Sequence, residues 1–130
     1  MVKIVNGNIL NCTEDIIAHQ VNTQGIMGSG LARQLADQYH GLEEFYSTHC
    51  KFLDNDYEVL KGTTLIYKEN NKIICNLFSQ KPNFDTDYDS LKRCLGFVKL
   101  WASNNNLSIA IPYRNRLPGL PTGCGIQFTK

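Results

Sequence analysis

The chain has no long hydrophobic run, no block of like charge and no paired-cysteine motif. Each absence removes a class of protein. The opening segment MVKIVNGNIL is broken by Asn6-Gly7-Asn8, so it reads as neither a signal peptide nor a membrane span. Lys and Arg number 13 against 12 Asp and Glu, a net charge of +1. That balance lacks the basic footprint of a broad nucleic-acid binder. The cysteines Cys12, Cys50, Cys75, Cys94 and Cys124 are odd in number, scattered and never spaced C-x-x-C. Neither a zinc site nor a disulfide framework fits that spacing. They read as small buried hydrophobes in a reducing cytoplasm, where the chain is expected to reside. No Cys/His pairing for nucleophilic catalysis is legible, and there is no internal repeat and no linker.

What is present fits a single globular domain: 130 residues, 42% hydrophobic and 19% charged. Short strands are expected at Val2–Val5 and Ile16–Val21. Leu31, Leu35 and Tyr39, with Ala32 and Ala36 beside them, mark an amphipathic helix that Gly41 ends. A second helical stretch follows, carrying Leu42, Phe45 and Tyr46. Residues Thr63 to Tyr67 and Lys72 to Phe78 read as a hairpin turning at Asn70-Asn71. The helix from Asp87 to Ala102 presents Leu91, Leu95, Val98 and Trp101 on one face, with Thr86 and Asp89 resembling a capping box. Asn104 to Asn106 end it, and Leu107 to Ile111 form a strand stopped by Pro112. Strands alternating with helices predict an α/β sandwich with a mixed sheet.

The stretch HQVNTQGIMGSGLARQL carries the chemistry. It places Gly25, Gly28 and Gly30 between a strand and a helix. Glycine is costly to order, so such a turn suits a site where something lies close to the backbone. Backbone N–H groups at a helix N-terminus also attract an anion, and the geometry suits a diphosphate. The spacing is neither G-x-G-x-x-G nor a G-K-[ST] phosphate loop. The competing reading is a flexible connector with tight helix–sheet packing. His19, Gln20, Asn22, Thr23 and Gln24 add hydrogen-bonding groups at a strand end, where ligands gather in open α/β sheets.

With those residues in view, NGNIL, AHQVNTQGIMGSGLARQLADQY and CNLFSQKPNFDTDYDSLKRCL resemble a macrodomain, the ADP-ribose-binding module. LSIAIPY is similar to the strand entering that family's second phosphate loop. The resemblance covers roughly residues 1–113, leaving 114–130 as a divergent tail. It implies a three-layer α/β/α fold with a mixed central sheet whose C-terminal part is incomplete. It points to the branch of ADP-ribosyl-glutamate and nucleic-acid de-ADP-ribosylating hydrolases and ADP-ribose 1″-phosphate phosphatases. The resemblance implies that Asn8, at a position usually Asp, bonds the adenine amino group and that Ile9 packs on the ring. Gly25, Ile26, Met27, Gly28, Ser29, Gly30, Leu31 and Ala32 would wrap the diphosphate, with Met27 lining the pocket. Gln20 belongs to the same binding set, and Phe78 and Gln80 would border the distal end. His19 would act as base or water orienter, and Asn22 would face the distal ribose. No metal and no cofactor is implied; the partner is ADP-ribose or an ADP-ribosylated target.

The chain also departs from that pattern. Hydrolases of this branch look to a lysine within or just after the first helix, and none lies between Ala32 and Lys51. The Asp that helps activate water in the second glycine loop has no counterpart. After IAIPY the family would give a Gly-Ile-Gly-Cys-Gly-like loop, then a Trp, a helix and a last strand. The chain reads RNRLPGLPTGCGIQFTK instead, whose prolines and glycines predict neither helix nor strand, leave a sheet strand missing and expose an edge. Arg114 and Arg116 could meet phosphates, and Gly123-Cys124-Gly125 could stand in for the loop. Arg-Asn-Arg-Leu before Pro can be encoded AGG-AAT-AGG-CTG-C, which shifted by one base spells Gly-Ile-Gly-Cys; a slip of reading frame near Tyr113 is one expectation. Two functions follow: a macrodomain hydrolase or phosphatase, or a non-catalytic ADP-ribose-binding module or degenerate remnant.

Overall fold

A computed structural model describes the backbone of residues 2–5, 7–113 and 124–128. The elements are β1 (Val2–Val5), β2 (Ile16–Val21), α1 (Gly30–Gln38), α2 (Leu42–Phe52), α3 (Tyr57–Leu60), β3 (Thr64–Glu69), β4 (Lys72–Phe78), α4 (Tyr88–Asn104), β5 (Ile109–Tyr113) and β6 (Cys124–Phe128). They form one mixed sheet in the order β1-β6-β5-β2-β4-β3. Strand β2 runs parallel to β4 and β5, while β3 and β6 pair antiparallel to their neighbours.

The central strand β2 opens on the apolar run Ile16-Ile17-Ala18 and is buried on both faces, because helices cover the sheet on either side. Ile17 and Val21 face one way, with Ile74 and Phe78 of β4, against Leu35, Leu42, Tyr46 and Leu60 of the first three helices. Ile16 and Ala18 face the other way, with Cys75 and Leu77, against Cys94, Val98 and Ala102 of α4. The result is the expected α/β/α layering. The β3–β4 turn puts Asn70 at φ 51° and Asn71 at φ 63°. Both centres of a tight hairpin turn need that left-handed backbone, and asparagine tolerates it.

Three local expectations change. Asp87, not Thr86, caps α4: its carboxylate accepts from the Ser90 N–H and hydroxyl. The Thr86 hydroxyl instead donates to Gln20 Oε1 at 3.2 Å. Pro112 does not stop β5, which continues to Tyr113. Pairing with β2 ends at Ala110, so from there β5 is bonded on one side only, where a residue without N–H is tolerated.

The largest correction concerns the tail. Residues Cys124–Phe128 form a strand that pairs with both β1 and β5, filling the edge expected to stay open. Gly125 sits opposite Val5 on one side and Pro112 on the other. Two strand partners override the low strand propensity of a glycine-containing segment. Among the described residues no helix follows β5. Arg114, Arg116, Gly123, the prolines of the tail and the reading-frame argument fall outside the described residues.

Candidate functional site

Strands β2, β4 and β5 are parallel, so their carboxyl ends, Val21, Phe78 and Tyr113, lie along one side of the sheet. Two loops rise there: Asn22–Ser29 leads into α1, and Ser79–Asp87 leads into α4. They are tied together. The Gln80 N–H donates to the Val21 carbonyl at 3.3 Å, and Gln24 Nε2 donates to the Pro82 carbonyl at 3.1 Å. Gln20 Oε1 accepts from the hydroxyls of Ser79 and Thr86, anchoring the second loop to β2.

The first loop is folded by its own side chains. Asn22 Oδ1 accepts from the Gln24 N–H at 2.9 Å, while Nδ2 donates to the Ile26 carbonyl at 2.8 Å. The Tyr46 hydroxyl of α2 bridges to Asn22 O and Oδ1 at 2.6 and 2.8 Å. Asn55 Nδ2 donates to the Thr23 carbonyl. Met27 is fully buried in the core and pins the loop from below. Asn22 is therefore the brace of the loop, with both ends of its amide engaged.

Gly25 and Gly30 carry φ of 78° and 60°, the left-handed region that disfavours a side chain. At Gly25 an added Cβ would meet Ser47 and Cys50 of α2 at ordinary contact distance. At Gly30 it would meet nothing within 4 Å, so the space above that backbone is open. Ser29 is the N-cap of α1, but its side chain makes no capping bond, and the first turn has no acidic residue. The N–H groups of Gly30, Leu31 and Ala32 are first-turn donors without intrahelical acceptors. They and the helix dipole point a positive field at that open space.

Several expected site residues lie elsewhere. Ile9 and Phe78 are core residues; Phe78 stacks between Tyr46 and His49. Ile9 is 4% exposed and Phe78 is fully buried. Asn8 is exposed, with Oδ1 accepting from the Leu10 N–H at 3.0 Å as the cap of a short turn. Gln80 is half-buried at the rim, Ile26 is exposed on the first loop, and Gly28 and Ser29 are exposed beside Gly30.

His19 lies inside the sheet face, only 2% exposed. Its Nε2 bonds Asn76 Oδ1 at 2.7 Å, and Asn76 Nδ2 donates to the Leu65 carbonyl at 3.0 Å. Asn76 thus offers an oxygen to the ring, so Nε2 carries the proton and donates. Nδ1 is left with a lone pair and no partner among the described residues. Burial pushes the imidazole down to about 4, partly offset by Asn76. The ring is neutral and shielded from water.

Nothing along the chain points to Tyr46 as a loop residue, because it reaches the loop from a separate helix. Nor does anything there single out the second loop's Lys81 and Phe84. Both are exposed, and Phe84 holds φ 70°, with its N–H on the Lys81 carbonyl. Lys81 lies between Gln80 and Pro82, whose carbonyl accepts from Gln24 of the first loop.

No family model matches the chain, and no curated protein does. Solved structures do resemble it. The macrodomain of Thermus aquaticus DarG superposes with a TM-score of 0.72 at 22% identity, over 88% of this chain and 80% of that one. A macrodomain protein from Streptomyces coelicolor gives 0.75 at 19% identity, over 88% and 79%. Thermosipho africanus DarTG, solved in complex with ADP-ribose, gives 0.67 at 16% identity, over 82% of this chain and 31% of that one. The three-layer architecture is that of a macrodomain, and the chain has the macrodomain fold.

Proposed function

We propose that the crevice at the carboxyl ends of β2, β4 and β5 binds ADP-ribose, its diphosphate on the first loop and the first turn of α1. The observation that carries this reading is Gly30: a left-handed glycine at a helix N-terminus, under open space, in a first turn whose N–H groups have no intrahelical acceptor. The ADP-ribose bound to a protein of the same fold, Thermosipho africanus DarTG, supports it. Backbone donors suit a diphosphate without a metal ion.

On this reading the chain works in the cytoplasm and removes ADP-ribose from a modified target, or phosphate from ADP-ribose 1″-phosphate. Lys81 is the group we assign to the distal end. Its neutral amine attacks the anomeric carbon; the bond to the target oxygen breaks as the carbon–nitrogen bond forms, the proton shed by the nitrogen passes to the departing oxygen, and water then cleaves the carbon–nitrogen bond to free ADP-ribose and restore the amine. His19 serves by position, holding β2 to β4 through Asn76, because a neutral ring under the sheet surface has no water to activate. That burial also favours the second reading, a module that binds ADP-ribose without turnover.

Calorimetric titration with ADP-ribose, with AMP and ADP as controls, tests the first step. Tighter binding of ADP-ribose than of ADP supports a pocket for the distal ribose; equal binding removes it. Turnover of ADP-ribosylated substrates by wild type, lost in Lys81→Ala with binding intact, supports the hydrolase. Binding with no turnover by wild type leaves the binding module.

A further inference from the structure

A second concavity, of about 520 Å³, lies between α2 and β3. It is built from Gly41, Glu44, Phe45, Thr48, His49 and Phe52, which recur at helical spacing along one side of α2, and from Tyr67 of β3. Gly25 of the first loop packs on Ser47 and Cys50, on the opposite side of the same helix. The groove is therefore separate from the crevice. It also borders the sheet's edge, because among the described residues β3 pairs with β4 alone.

Its walls are aromatic, with Glu44 as a carboxylate and His49 as an imidazole among them. The rings of Phe45 and Tyr67 stand 5.2 Å apart at 48°, two faces of an open corner. Phe52, one heptad beyond Phe45, is 84% exposed. Beside the groove, the Glu69 carboxylate accepts from the Tyr67 hydroxyl and the Gly41 N–H of its lining. Glu44 lines the groove and forms no ion pair among the described residues, whereas Glu43 and Glu58 are paired with Arg33 and Lys61. Among the described residues no lysine or arginine lines it. Lys68 alternates to the other face of the sheet from Tyr67.

We propose that this groove docks an arginine side chain of a partner polypeptide. Ring faces attract cations, and a guanidinium is flat and weakly hydrated, so it stacks in the corner at little desolvation cost. Its N–H fork has donors for the Glu44 and Glu69 carboxylates. A methylated ammonium would satisfy the rings and leave both carboxylates without a donor. A plain ammonium is more strongly hydrated. The strand edge alongside lets the backbone carrying that arginine lie against β3.

Amide chemical-shift mapping of the full chain with the blocked peptide Gly-Gly-Arg-Gly-Gly tests this. Peptides with norleucine or trimethyllysine in place of arginine are the other arms. Shifts should cluster at Gly41, Phe45, Thr48, Phe52 and Tyr67, spare Gly28 to Ala32, and weaken as salt is raised. Glu44→Gln and Phe45→Leu should each weaken binding about two- to fivefold, with thermal unfolding confirming that each variant folds. Glu44 is exposed, so its variant tests the proposal even where Phe45→Leu disturbs packing. Equal response to norleucine would reduce the groove to an apolar patch. Preference for trimethyllysine, or no shifts in the groove, would equally overturn the proposal.

Discussion

Acidifying the protein drives a proton toward a ring that the fold keeps neutral. The folded value for His19 is about 4 against 6.5 for the free side chain. Because the folded value is the lower one, the unfolded chain binds more protons between the two, and unfolding gains on folding as pH falls. Stability is full well above 6.5, declines as pH drops through that value, and stops declining on this account below about 4. Linkage gives a loss of about 2 kcal/mol by roughly pH 5 and about 3 kcal/mol by roughly pH 4. Carboxylates add their own loss: Asp87, held down to about 2 chiefly by the Tyr57 hydroxyl, sheds its share as pH falls toward that value. The clean quantity is therefore a difference. In His19→Gln the amide can still donate to Asn76 and does not titrate. Urea unfolding of both proteins at a series of pH values should give curves that diverge below about pH 6.5, wild type losing more. Parallel curves down to about pH 4 would refute the reasoning, since they would mean that the ring does not stay neutral in the folded chain.

Three substitutions probe the loop and its surroundings. Tyr46→Phe removes the hydroxyl that bridges to Asn22 and should cost about 1–2 kcal/mol in chemical unfolding, with weaker ADP-ribose binding by calorimetry; unchanged stability would mean that the bridge is idle. Gly30→Ala forces a side chain to φ 60° at about 1–2 kcal/mol and puts a methyl group in the space assigned to the diphosphate. It should abolish ADP-ribose binding far more than Gly28→Ala, whose Cβ meets only Ile26 at 3.4 Å; equal effects would sink the diphosphate assignment. Gly41→Ala drives a Cβ into the Tyr67 hydroxyl, which must leave Glu69, so thermal unfolding should fall by the equivalent of about 1–3 kcal/mol.

Periodicity made most of the scaffold legible. The Leu31, Leu35, Tyr39 stripe announced α1, and Asn70-Asn71 announced the β3–β4 turn. What failed was whatever depended on partners distant in sequence. Strand β6 is invisible in its own composition, because its stability comes from lying between β1 and β5. Pro112 reads as a stop until the end of β2 pairing at Ala110 is known. The glycine loop was visible as a loop, but its brace was not: the Asn22–Tyr46 contact joins residues 24 positions apart. His19 looked catalytic from its polar neighbours along the chain, while its actual partner, Asn76, stands 57 positions away.

Those hidden contacts bear directly on function. A loop with Gly25, Gly28 and Gly30 should be expensive to order, and a ligand that had to order it would bind weakly. Here the Asn22 amide, the Tyr46 hydroxyl and the buried Met27 hold the turn without a ligand. The glycines can then supply the left-handed backbone at Gly25 and Gly30 while their entropy is charged to folding. Such residues are easily taken for ligand contacts in the sequence, because they sit among them. Asn22 and Met27 shape the loop from beneath, and on the proposed reading the atoms above, from Gly28 to Ala32, meet the diphosphate.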